Sequence, residues 1–113
     1  MHEVSLMENT LNIALDCASA QNASKIHRLK MRVGDLSGVV PDALEFAFDV
    51  VTRGTIAEGA KFEIERVPVV CHCFTCDRNF EPIDLFYECP HCHQLTHHIQ
   101  SGQEIELTSL EVS

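Results

Sequence analysis

The chain has 113 residues, of which 45% are hydrophobic and 22% are charged, and its formal net charge is −9. Such a chain folds into one compact domain with at most a small appendage, which excludes a disordered protein. Because it has no apolar run of 18 residues and no basic, apolar leader, we expect a cytoplasmic protein without a membrane association, whose thiols stay reduced.

The first three residues, Met1, His2 and Glu3, offer several metal donors. A free amine on Met1, the His2 amide nitrogen and the His2 imidazole can close fused chelate rings on one ion. Glu3 can add its amide or its carboxylate. Nitrogen-rich, planar donor sets of this kind suit Ni²⁺ or Cu²⁺. Taken alone the pattern is weak, because any chain can begin with a solvated histidine.

Residues 3–20 are predicted to form an amphipathic helix, since apolar residues recur along one side with helical spacing. That side comprises Met7, Leu11, Ala14, Leu15 and Ala18, and it is widened by Leu6, Ile13 and Cys17. We therefore predict that the helix packs on a core and that Cys17 is a small core residue without a redox role.

Residues 26–33, IHRLKMRV, alternate between apolar and basic side chains and are predicted to form a strand. The basic face would suit a nucleic acid. A second interpretation fits better, because the strands predicted at 62–65 and 104–107 carry matching glutamates that can pair with it. We place His27 on the core side of this strand, in a structural role.

Pro41 is predicted to begin a second helix, which ends before Gly54. Strands follow at 61–67 and 104–112, and a cysteine-rich segment separates them. The predicted fold is α+β: two helices packed on a small, mainly antiparallel three-stranded sheet, with an inserted four-cysteine zinc module.

This order of elements divides the chain into two domains. Residues 1–68 and 101–113 would form the α+β domain that carries the candidate nickel donors. Residues 69–100 would form the zinc-binding module.

Two Cys-x-x-Cys pairs, Cys73 with Cys76 and Cys89 with Cys92, are separated by twelve residues. A two-residue gap lets both sulfurs of a pair turn toward one ion, and two such turns complete a tetrahedron with Zn–S bonds of about 2.3 Å. Cys71 precedes Cys73 by only two positions, which does not form this turn, so we exclude it. Four thiolates leave no open position, and we predict a structural Zn²⁺. A rubredoxin-like iron centre is the alternative.

The residue after each pair commonly adopts a left-handed backbone, which Asp77 and His93 tolerate better than most side chains. The segment also contains histidines that could complete a nickel site or relay metal, but a polar surface is the simpler interpretation. They are His91, His93, His97 and His98.

Acidic residues dominate the second part of the chain. Residues 71–113 carry seven acidic residues and one basic residue, Arg78. Four thiolates around Zn²⁺ would add further negative charge. A phosphate backbone is repelled by such a surface, so we expect no binding to nucleic acid.

The chain resembles the HypA family of nickel metallochaperones for hydrogenase maturation. The resemblance rests on MHE at 1–3, VGDLSGVVPDALEFAFDVVTRGTIAEGA at 33–60, the cysteine pairs at 73–92, and SGQEIELTSLEV at 101–112. It covers essentially the whole chain, and the combination is specific. The loop glycines usual in such cysteine turns are absent at Asp77 and His93.

The resemblance implies that Ni(II) is carried as cargo at His2, with Glu3 beside it. It also implies structural Zn(II) at the two cysteine pairs. The partners it implies are a nickel-insertion GTPase and the precursor large subunit of a [NiFe] hydrogenase, and some relatives also serve urease. It supplies no role for Cys71 or for the four histidines.

Two other functions stay open from the sequence. The protein could be an adaptor that docks maturation partners without carrying metal, or an iron electron carrier. Catalysis is not expected, because the sequence shows no nucleophile–base pair and no phosphate-binding loop. An exchange of the zinc module between protomers, hinged at Pro68, would give a homodimer, although nothing in the sequence requires it.

Overall fold

The computed structural model describes residues 2–82 and 87–113. Helix α1 spans Glu3–Ala20 and helix α2 spans Pro41–Val51, as the sequence predicts. Pro41 suits the first turn of α2, where its fixed φ is helical and its missing N–H is not needed. Beyond α1, Asn22 adopts a left-handed φ of 55° and the Ala23 amide donates to the Ala18 carbonyl. No helix in these residues is long and apolar enough to cross a membrane.

Within these two ranges of the chain, six strands form two separate three-stranded sheets. They are β1 Ile26–Gly34, β2 Lys61–Val67, β3 Val70–Cys73, β4 Arg78–Phe80, β5 Ile99–Ser101 and β6 Ile105–Val112. The first sheet has the order β2-β1-β6 and the second has the order β4-β3-β5. We call α1, α2, β1, β2 and β6 the helical unit, and we call β3, β4, β5 and their cysteine-bearing loops the cysteine unit.

The α+β class with an inserted four-cysteine module is confirmed. In the first sheet β6 runs antiparallel to β1, whereas β2 runs parallel to it. The parallel pairing follows from the connection, because α2 carries the chain from the end of β1 back to the start of β2. The other described pairings, β1 with β6, β3 with β4 and β3 with β5, are all antiparallel.

The helical unit has an apolar core between its two helices and one face of its sheet. The alternation of β1 places Leu29, Met31 and Val33 in this core, and α2 contributes Leu44 and Phe48. The Phe48 ring stacks on Phe62 of β2 with centroids 4.7 Å apart. Burial of apolar surface therefore holds this unit together.

The opposite face of the same sheet is neutralised by cross-strand ion pairs. Arg28 contacts Glu63 and Glu111, and Arg32 contacts Glu65 at 2.9 Å. The predicted pairing of the basic strand with acidic neighbours is confirmed. The hydrogen bond that Arg28 donates to Glu63 is the main reason that the pKa of Arg28 is raised. The same hydrogen bond is the main reason that the pKa of Glu63 is lowered.

Two predicted positions are wrong. His27 is exposed, because an irregularity in the β1–β6 register between Ile26 and Arg28 turns the intervening side chain outward, where Nε2 lies 2.7 Å from the Ser113 hydroxyl. Cys17 is also exposed, because it lies at the flank of the α1 stripe, beyond the part that the sheet covers.

Two chain segments, one between β2 and β3 and one between β5 and β6, join the helical unit to the cysteine unit. The loop after β1 donates hydrogen bonds to both of them. The Asp35 amide donates to the Val67 carbonyl at 2.9 Å, and the Leu36 amide donates to the Gly102 carbonyl at 2.6 Å. A Cβ on Gly34 would lie 2.1 Å from the Gly102 carbonyl carbon. Only glycine fits at position 34, because the two backbones touch there.

Candidate metal centres

The cysteine unit brings four sulfurs together by folding two loops toward each other. Cys73 ends β3, and Cys76 lies in the turn that leads into β4. Cys89 and Cys92 lie in a second loop, closed by the His93 amide donating to the Cys89 carbonyl at 3.0 Å. Asp77 and His93, which follow the two pairs, have φ values of 51° and 61°. The predicted left-handed backbone at both positions is confirmed.

The geometry of these sulfurs fits a tetrahedral metal. All four Sγ atoms lie within 4.8 Å of one another, with Cys73 to Cys92 at 3.5 Å and Cys76 to Cys89 at 4.0 Å. Bonds of about 2.3 Å in a tetrahedral zinc–thiolate site separate sulfurs by about 3.8 Å. Neither distance permits a disulfide, which needs about 2.05 Å. The site is therefore shaped for an ion.

Protonation at the cluster also favours a cation. The pKa of Cys89 is lowered to about 6, mainly because the Cys92 amide donates to its sulfur, with help from the His91 amide. The pKa of Cys76 is raised to about 12, first because its thiol donates to Cys92 and second because it is desolvated. Crowded sulfurs in a half-buried site thus resist becoming four thiolates unless a metal supplies positive charge.

Cys71 is completely buried beside this site but does not belong to the group of four clustered cysteines. Burial raises the pKa of its thiol, so it stays a neutral core side chain. It packs with Phe80, and β3 pairs the two residues directly with each other across the β3–β4 ladder. The exclusion of Cys71 from the zinc ligands stays a prediction.

The neighbouring histidines make contacts with protein groups. His91 Nε2 lies 2.6 Å from the Arg78 guanidinium, and His93 Nδ1 lies 3.3 Å from Glu88. His97 is exposed. In the described part of the chain, no histidine joins a group of three or more metal-ligating side chains.

The sequence did not reveal an aromatic patch on this unit. Phe74 is 72% exposed, and its ring packs edge-on against His72 at 4.7 Å and His98 at 5.2 Å between centroids. His72 is held by Asn79, with Nδ1 2.8 Å from the amide oxygen. The sequence contains one indication of this patch, a phenylalanine between the two cysteines of the first pair. Only the pairing of β3 with β5 brings its ring close to His98.

The candidate nickel donors lie at the start of α1. Met1 is outside the described residues. His2 is exposed, precedes the helix with an extended backbone, and makes no side-chain cap hydrogen bond. Glu3 is half-buried, and its Oε2 atom is inaccessible to solvent without a hydrogen-bond partner in the part of the chain described. A buried carboxylate oxygen normally has a partner, so a bound cation would satisfy this atom.

The chain matches, over residues 1–112, the family described as "Hydrogenase/urease nickel incorporation, metallochaperone, hypA". It is 59% identical over 112 residues to the hydrogenase maturation factor HypA of Picosynechococcus sp., covering 99% of both chains. It is 43% identical to the factor of the same name from Roseiflexus sp., covering 98% of this chain and 91% of that one.

Solved structures agree with these sequence relatives. The chain is similar to the solution structure of the Ni metallochaperone HypA from Helicobacter pylori, with a TM-score of 0.69, 28% identity, and coverage of 99% and 97% of the two chains. A second solution structure, of HypA protein, gives a TM-score of 0.72 at 26% identity, with coverage of 100% and 97%.

Proposed function

Since the chain belongs to the HypA family of hydrogenase-maturation nickel metallochaperones, we propose that it binds Ni(II) through Met1, His2 and Glu3 and delivers it to a hydrogenase precursor. The family is one of metal carriers and not of enzymes. We place this activity in the cytoplasm, where the six cysteines, none of which is in a disulfide, would stay reduced.

The observation that carries the nickel proposal is the buried Glu3 Oε2 atom, which has no hydrogen-bond partner among residues 2–82 and 87–113 and follows the exposed His2 in sequence. The imidazole, the His2 amide nitrogen and the Met1 amine supply nitrogen donors, which Ni²⁺ prefers. The positive end of the α1 dipole disfavours a cation at this place. The Glu3 carboxylate offsets that effect, so we expect it to strengthen binding without being indispensable.

Calorimetric nickel titration tests this ligand set. A protein extended by a few residues before Met1 keeps every side chain but lacks the free amine, so its nickel affinity should fall at least about tenfold. His2→Ala should do similar harm, and Glu3→Gln should weaken nickel less. Glu8→Gln, which removes an exposed carboxylate further along the same helix, is the matched control. Binding should also weaken as the pH falls, because nickel must displace protons from its nitrogen ligands.

Metal content separates this result from damage to the fold. All four proteins should keep the same zinc content, since the two sites share no ligand. Equal nickel affinity in the extended and unextended proteins would contradict the chelating terminus.

We further propose that the four-cysteine site holds structural Zn(II). Four thiolates leave no open position, so zinc bound there would fold the cysteine unit and take no part in chemistry. Elemental analysis of the purified protein should give one zinc per chain and a colourless solution. A red solution with stoichiometric iron would instead support the rubredoxin-like alternative.

We also propose that residues 1–68 with 101–113 act as the nickel domain and residues 69–100 as the zinc domain, and that delivery requires a partner GTPase. The test is transfer of nickel from the loaded protein to a hydrogenase large-subunit precursor, measured by metal analysis after the two are separated. Transfer should need the GTPase and GTP. Binding of the precursor without any movement of nickel would support the adaptor function instead.

A further inference from the structure

Helix α1 does not cover the whole apolar face of the first sheet. A groove of about 600 Å³ lies between α1 and β6. One wall is a stripe of α1 that includes Leu6, Ile13 and Cys17, and the other is β6. Ile13 is 55% exposed at this wall, an unusual position for a large apolar side chain on a helix that faces a core. We call this space the α1–β6 groove.

The shape of the groove matches an extended chain. Every residue from 105 to 110 lines it, on both faces of β6, so the groove runs along the edge of the strand. In the order β2-β1-β6, only β1 pairs with β6 among the described residues. The outer edge of β6 therefore presents free N–H and C=O groups beside an apolar helix face, which is the arrangement that accepts an added strand.

The charge of β6 favours a basic occupant. Strand β6 contains Glu106 and Glu111 and no Lys or Arg. Each carboxylate contacts an arginine of β1 on one side, yet the Glu106 and Glu111 side chains stay 48% and 62% exposed. A basic residue on a strand added at the other edge of β6 would complement these carboxylates.

Strand β1 shows what a complement to β6 looks like. It alternates apolar side chains toward the core with Arg28, Lys30 and Arg32 toward the acids of its neighbours. We propose that the α1–β6 groove binds an extended segment of a partner protein that adds to the free edge of β6 and alternates apolar and basic residues in the same way.

A second copy of this chain is a poorer occupant. Antiparallel pairing of β6 with β6 of another copy would bring Glu106 and Glu111 of both copies onto the same face of a shared sheet. Like charges opposite each other on neighbouring strands are destabilising. The proposal concerns neither metal site, so it can fail while the nickel proposal stands.

The probe is a labelled peptide of sequence IHRLKMRV, titrated with the full-length protein and followed by fluorescence anisotropy. Saturable binding is expected. Ile13→Lys, which removes an exposed apolar contact and repels a basic peptide, should weaken it at least about tenfold. Phe46→Lys makes the same change in charge at a residue of α2 that is 69% exposed and does not line the groove, so it should leave binding unchanged.

Two altered peptides separate strand addition from general attraction. Replacing the three basic residues with glutamate should abolish binding, and methylation of alternate backbone nitrogens should do the same, because it removes ladder hydrogen bonds. Circular dichroism and zinc content verify that each variant is folded. Equal binding by the Ile13→Lys and Phe46→Lys proteins would overturn the proposal. So would a concentration-dependent dimer, seen by sedimentation without peptide, that Ile13→Lys dissociates.

Discussion

The two units of the molecule are built on different chemistry. The core of the helical unit contains thirteen buried residues, nearly all aliphatic or aromatic, including Met7, Leu29 and Phe48. In the described part of the cysteine unit, the buried residues are Cys71, Cys73, Cys89 and Phe80. The first unit can fold by burying apolar surface, whereas the described part of the second buries much less, so we expect it to depend on a metal bound by the four cysteines. We therefore expect the stability of this protein to have two separable sources.

The largest effect on stability is expected from the loss of one of the four proposed metal ligands. Cys73→Ala should remove several kcal/mol of the roughly 10–16 kcal/mol that a structural zinc site contributes, and should unfold the cysteine unit while the helical unit stays folded. Amide hydrogen exchange should show protection lost in β3–β5 and retained in β1. Cys71→Ala, at a buried cysteine outside the four, should keep its zinc. Equal zinc loss from both variants would mean that the choice of ligands is wrong.

An intermediate effect should come from the core of the helical unit. Leu29 is fully buried in the central strand, so Leu29→Ala should lower the free energy of unfolding by about 2–5 kcal/mol. Chemical denaturation measures this loss. Phe46→Ala, at an exposed position on α2, should change stability by less than about 0.5 kcal/mol. The zinc content of both variants should be normal; release of zinc by Leu29→Ala would show that the units unfold as one.

The smallest effect is expected at the junction between the units. The Gly102 amide donates to Glu104 Oε1 at 2.7 Å, and hydrogen bonds from backbone amides lower the pKa of this carboxyl below 4.5. Because the folded pKa is the lower one, the contribution of Glu104 to stability is present above pH 4.5. It is lost as the pH falls through the folded value.

Glu104→Gln should remove this acid-dependent contribution. Urea unfolding between pH 3 and pH 6 should show a slightly shallower loss of stability on acidification than in the unsubstituted protein. Glu8→Gln, on the exposed side of α1, serves as the control. Identical pH profiles for the Glu104→Gln and unsubstituted proteins would show that the junction bond does not contribute.

Local patterns predicted most of the helical unit. Helical periodicity and Pro41 located both helices, and alternation located β1, β2 and β6 to within a residue or two. These signals are local, because amphipathic elements carry their own periodicity. The spacing of the cysteines indicated, for the same reason, which four sulfurs lie together, since each turn is formed by four consecutive residues.

Features that depend on distant residues could not be predicted in this way. The irregular register at His27 arises from how β6 meets β1, and the exposure of Cys17 arises from where the sheet ends. The short strands β3, β4 and β5 have no periodicity of their own and form because the two cysteine loops converge. The burial of the Glu3 Oε2 atom, without a hydrogen-bond partner in the part of the chain that the structure describes, likewise depends on packing.

The position of β6 in the chain has a consequence for synthesis. It pairs with β1 to complete the first sheet, but it follows the whole cysteine unit, at residues 105–112. While a ribosome synthesises the intervening residues, β1 lacks its β6 neighbour and the first sheet stays incomplete. Closing so long a loop costs about 4 kcal/mol in chain entropy, and each halving of its length recovers about 0.6 kcal/mol. A metal ion captured by the nascent cysteines would shorten that loop, so metal supply should set how quickly the newly made chain completes its first sheet.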